Sequence, residues 1–156
     1  MKTFITYSMI IICFTSCQVS KDKLLIENFV KKYIINNTEL STDGIEEFIT
    51  LFDYKKELRL EFITYFLEIQ QKDLINKGNF EIFSYKEFMD SNIIRREKVE
   101  FPKNYKNIYF LVADSTEIGF YIIDEHKIIS FFCANIRKRE TDKGHPFFLN
   151  KENGKN

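Results

Sequence analysis

The chain has 156 residues, 44% of them hydrophobic, and 23 basic side chains against 23 acidic ones. That length suits one domain of ordinary size, which can bury enough surface to fold without disulfides. A charge balance of zero gives no general attraction to nucleic acid or to anionic lipid, so no nucleic-acid partner is expected.

The first stretch, Met1 to Cys17, decides where the rest resides. Lys2 precedes a mostly apolar run from Phe4 to Phe14, and small residues follow, the pattern of an export signal. The apolar core is about a dozen residues, short of the roughly 20 that a membrane-spanning helix needs. Phe14-Thr15-Ser16-Cys17 resembles the lipobox of bacterial lipoproteins. That resemblance implies removal of residues 1–16 as a signal peptide and a diacylglycerol on the Cys17 sulfur. It also implies an acyl chain such as palmitate on the new amino group. Cys17 is then the lipid attachment site, residues 17–21 are a short tether, and the membrane is a partner through the N-terminal acyl chains. Several acyl chains, at about 0.8 kcal/mol per buried methylene, hold a protein on a bilayer without any spanning helix. The implied location is the bacterial cell envelope, periplasmic or surface-exposed. The same residues also suit plain secretion with a cut after Cys17, or a retained N-terminal helix.

Of the three cysteines, Cys13 leaves with the signal and Cys17 is acylated, which leaves Cys133 within Phe131-Phe132-Cys133-Ala134. A thiol in apolar surroundings behaves as a small hydrophobe and is a poor nucleophile. An unacylated Cys17 would be free to pair with Cys133 in an oxidising compartment.

A single domain is expected over residues 22–150, with residues 151–156 as a frayed tail. Ile26, Phe29, Val30, Tyr33 and Ile34 recur with helical spacing, Glu27 can pair with Lys31, and Asn36-Asn37 ends the pattern. After a turn at Ser41 to Gly44, Asp43 and Glu46 resemble a capping box, and Ile45, Phe48, Ile49 and Phe52 continue at helical spacing. A long helix follows, broken near Asp53-Tyr54 and stopped by Gly78. Its two apolar stripes, Leu58-Phe62-Phe66-Ile69 and Leu60-Ile63-Leu67, predict cover on two sides.

Beyond Gly78, Asn79 to Ser84 reads as a strand, Tyr85 to Asp90 as a helical turn, and Val99 to Phe101 as an edge strand ahead of Pro102. Ile108–Ala113, Ile118–Ile123 and Ile128–Ile136 are β-branched and aromatic runs separated by hairpin-sized polar loops. They predict an antiparallel meander. Apolar residues occupy both alternating positions, so both faces of this sheet want cover. Helices can cover one face, and the other needs a closing sheet, a ligand cavity or a partner. Phe147-Phe148-Leu149 is expected to dock back on the domain. Helices followed by a meander give an α+β fold, N-terminal helices packed on a C-terminal sheet of three to five strands. The cone-like and cystatin-like domains share that order of elements, a fold-level analogy only.

Catalytic motifs are missing. The five glycines form no phosphate loop, no nucleophile elbow occurs, and one free thiol cannot build a cysteine-based zinc site. No cofactor and no metal is expected. Asp124-Glu125-His126 places a carboxylate beside an imidazole, yet neighbouring loop residues rarely converge, so a solvated loop is expected. Arg137-Lys138-Arg139 is offset by Glu140 and Asp142 and reads as a solvated strand end. The expected function is a non-enzymatic binding module that takes an envelope protein or a hydrophobic ligand through its sheet. The alternatives are an envelope hydrolase using His126 or His145 as base, and a lipoprotein of the immunity or inhibitor type.

Overall fold

In the computed structural model, which describes residues 21–53, 55–95, 99–133 and 143–151, the sheet is an antiparallel meander. Its strands are β1 (Phe80–Ser84), β2 (Ile108–Ala113), β3 (Thr116–Asp124) and β4 (Lys127–Ser130), ordered β1-β2-β3-β4. The polar loops are tighter than the sequence suggests. Asp114 and Ser115 have φ of 48° and 57°, and Glu125 and His126 have 46° and 60°. Two consecutive left-handed residues make the hairpin turn whose twist matches that of the strands. Thr116 and Glu117 therefore belong to β3, and Asp124 pairs with Lys127 across the second turn. Leu111 pairs with Gly119 while Val112 pairs with Glu117, so Ile118 is the extra residue of a bulge.

The last strand is shorter than expected. β4 stops at Ser130, and positions 134–136 of the expected run lie outside the described residues. The returning C-terminal segment extends the pairing instead, with Phe147 N donating to Phe132 O at 2.9 Å and Cys133 bridged to Pro146. Val99 to Phe101 makes only an isolated parallel bridge, Val99 to Gly144.

Helix α1 covers residues 21–35, and its last stretch, Val30–Ile35, is wound as π-helix. Ile26, Phe29, Val30, Tyr33 and Ile34 are all buried, and Lys31 meets Glu27 at 2.5 Å. Helix α2 (Thr42–Glu46) is capped by Ser41, whose Oγ accepts from Gly44 N at 3.2 Å. The cap is thus two residues earlier than Asp43, because Ser41 takes the extended backbone an N-cap requires. The helical spacing through Phe52 is also overridden. Ile128 N donates to Phe48 O at 2.8 Å and Ile49 bridges Ile128 in parallel, so this segment guards the outer edge of β4.

Helix α3 (Lys56–Ile75) follows Lys55, whose φ of 58° marks the expected break; Tyr54 lies outside the described residues. It ends at Ile75 with Asn76 as cap, ahead of Gly78. Only one of its faces is covered. Arg59, Ile63, Leu67, Gln70 and Leu74 are buried, whereas Leu58, Phe62 and Tyr65 are exposed, which corrects the expectation of cover on two sides. Helix α4 (Tyr85–Met89) starts with a reciprocal capping box: Ser84 N donates to Glu87 Oε2 at 2.6 Å, and Glu87 N donates to Ser84 Oγ at 3.4 Å.

Both sheet faces are buried, as the strands require. Helices α1 and α3 cover the face carrying Tyr109, Leu111, Tyr121 and Ile123. Phe88 of α4, the connecting segment with Phe101 and Tyr105, and Phe148 cover the face carrying Ile108, Phe110 and Phe120. The architecture is α+β, with helices on a four-stranded antiparallel sheet.

Candidate functional site

The second sheet face is covered by one short helix and irregular chain, and that cover is incomplete. The Ser84–Glu87 box fixes the direction of α4, which lays Phe88 flat on Phe110 with ring centres 3.9 Å apart. Phe101 meets Phe110 edge-on at 5.8 Å and Phe120 at 5.1 Å, and Tyr85 stands over Phe101 and Phe110. Between α4 and the sheet these rings border a cleft of about 220 Å3. Tyr85, Phe88, Phe101 and Phe110 wall it.

Three charged residues also line the cleft. Arg95 places its guanidinium 5.6 Å from the Phe88 ring centre and bonds Met89 Sδ. Lys143 lies 3.8 Å from Glu100. Glu117 is buried, 3% exposed, and already engaged within the fold.

A polar cluster sits at the start of α1. Asp22 is 2% exposed; Tyr109 Oη donates to its Oδ2 at 3.2 Å, and His126 Nδ1 lies 3.3 Å from its Oδ1. Burial and then the Asp22 charge push the Tyr109 phenol upward, so it remains a neutral donor. Next to it, Lys23 Nζ bonds Glu87 Oε2 at 2.8 Å. Burial raises the Glu87 carboxyl, but hydrogen bonds from Lys23 and from the Ser84 backbone and hydroxyl outweigh it and hold the group at about 2, below the ordinary 4.5. A depressed carboxylate contributes stability above its unfolded value and loses it as pH falls through the folded one. Acid unfolding should therefore weaken the α1–α4 contact between about pH 4.5 and 2. Glu87→Gln should flatten the stability profile in that window alone, as read by urea titrations across pH.

The sequence-predicted residues scatter. His126 meets Asp22 rather than Asp124, because pairing of Asp124 with Lys127 directs the turn residues outward. His145 is exposed between Gly144 and Pro146, separated from His126 by β4 and the residues up to Cys133. The hydroxyl tied to the Asp22–His126 pair is the Tyr109 phenol, and it bonds the carboxylate, not the imidazole. This arrangement fastens α1 to β2 and to the β3–β4 turn. Cys133 is half-buried against the apolar residues of the second sheet face. Cys17 and Arg137-Lys138-Arg139 lie outside the described residues. Among the described residues no group of three His, Cys, Asp or Glu is placed to hold a metal, and no helix is long and apolar enough to cross a membrane.

Asp22, Tyr109 and Arg95 escaped the sequence reading. Asp22 lies 87 residues from Tyr109 and 104 from His126, and no local pattern links such positions. The Ser84-Tyr85-Lys86-Glu87 spacing of a capping box was the one local signal that α4 has a fixed direction. No family model, curated protein or solved structure matches this chain.

Proposed function

We propose that this chain is a small membrane-anchored envelope lipoprotein whose folded domain is a non-enzymatic binding module, with the cleft under α4 as its ligand site. The observation that carries the binding role is the aromatic-walled cleft of about 220 Å3 in a face that the chain otherwise covers itself. A mostly apolar concavity with a few polar groups at its margin is the usual form of a small-molecule site. The anchor rests on Lys2, the apolar run Phe4 to Phe14 and the lipobox ending at Cys17. An anchor there leaves three residues between the acylated cysteine and α1, at most roughly 14 Å of extended chain from Cys17 to the helix. The domain then works beside the bilayer.

Intact mass and membrane fractionation test the anchor. The mature wild-type chain should begin at Cys17, carry acyl mass and sediment with membranes, and Cys17→Ser should lack that mass and leave the membrane fraction. An unmodified wild-type chain in the soluble fraction would refute the anchored reading.

A further inference from the structure

We propose that the cleft takes an amphipathic anion, its aromatic or short acyl end against the walls formed by Phe88, Phe101 and Phe110 and its carboxylate or phosphate at the mouth between Arg95 and Lys143. This rests on the binding-module reading and specifies its ligand class. Size sets the apolar end. A dry cavity of about 150 Å3 binds benzene, so about 220 Å3 admits one ring with a substituent, or an acyl chain of similar bulk.

Charge sets the head group and its orientation. Arg95 and Lys143 are exposed cations on long stems, so their heads reach the mouth. The Arg95 guanidinium is already laid over Phe88, which lowers the ordering cost of meeting an anion. Among the described residues Lys143 is paired with Glu100 at 3.8 Å, with both side chains more than half exposed. Such a surface pair contributes little and yields to a better-placed anion. Glu117 has the opposite influence. It is a buried carboxylate side chain in the lining, already engaged within the fold, and its oxygens give an anion in the interior no cationic partner. The anion is therefore kept at the mouth and the apolar end goes in.

The test uses three probes of one shape: phenylpropionate, phenylpropanol and phenylpropylamine. Each is titrated calorimetrically into the purified mature chain in nanodiscs, with empty nanodiscs as blank. Phenylpropionate should bind once per chain and about tenfold more tightly than the alcohol, the advantage of a charge-assisted contact. Arg95→Gln combined with Lys143→Gln should erase that advantage and leave the alcohol unchanged. Both positions are exposed, and an unchanged melting temperature will show that the fold persists. Octanoate binding more tightly than phenylpropionate would assign the site to fatty acids, and the reverse to aromatic acids; either supports the proposal. Equal affinity for all three probes, or tightest binding of the amine, overturns the anion preference and leaves the binding module standing. No binding of any probe overturns both.

Discussion

Arg59→Met is expected to destabilise the domain by about 3 kcal/mol, a drop of about 10 °C in Tm. Arg59 is 7% exposed and clamps the C-terminal segment. Its Nη1 donates to Phe148 O at 2.8 Å and Leu149 O at 3.2 Å, and its Nη2 donates to Lys151 O at 2.8 Å. The guanidinium lies between the rings of Phe52 and Phe147, 5.3 and 5.4 Å from their centres. Burial works against the charge and lowers the pKa, yet arginine stays protonated at any ordinary pH. Methionine matches the stem but leaves carbonyls of a buried segment without their charged donor, and an unmet buried acceptor costs more than a met one contributes. Arg59→Lys should recover little, because one ammonium cannot span three carbonyls or lie flat between two rings. Urea unfolding gives the magnitude, and hydrogen exchange at the Phe147 and Leu149 amides shows whether the loss is local. A variant with wild-type midpoint and wild-type exchange would contradict the clamp.

Gly119→Ala should cost about 2 kcal/mol, while Gly78→Ala should change stability by less than about 0.5 kcal/mol. A Cβ on Gly119 would lie 2.5 Å from Gln70 Nε2 and 3.3 Å from its Cδ. Gln70 cannot easily withdraw. It is buried, and its Oε1 accepts from Tyr121 Oη at 2.8 Å in the core between the sheet and helices α1 and α3. Turning the amide away strands a phenol that burial has already pushed upward and kept neutral. A Cβ on Gly78 meets nothing within 4 Å. Truncating the obstacle should relieve the strain, so Gly119→Ala with Gln70→Ala should be less destabilised than the two single losses together, by about 1 kcal/mol. Strict additivity in thermal or urea unfolding would remove the steric explanation.

Legibility in the sequence followed the range of the interaction. The α1 stripe, the strand runs and the hairpin positions were readable because each depends on neighbours within a few residues. Helix α3 was readable as a helix but not in its orientation. Two apolar stripes compete there, and the buried face is marked by Arg59 and Gln70, which an apolar count discards. Ser41 and Asp43 can both cap a helix, and only the extended backbone at Ser41 decides between them. The strands announced that both faces needed cover without saying what would supply it, since α4, Phe101 and Phe148 come from separate parts of the chain. The cleft was unreadable for the same reason. Phe110 walls it from the sheet, and its aromatic companions come from α4 and the connecting segment.

The C-terminal segment has a consequence for when the domain can form. Phe148 completes the cluster on one sheet face and Leu149 completes the other. Phe52 N and Arg59 then lock the carbonyls of that segment in place. Neither core is sealed until residues 147–151 have joined the rest, and a chain made from its N-terminus presents them late. Before that moment the Arg59 guanidinium lacks its carbonyl acceptors, and Ile129 O lacks the Leu149 amide. Closure of both cores is thereby tied to one short segment, and the two faces of the sheet are completed together.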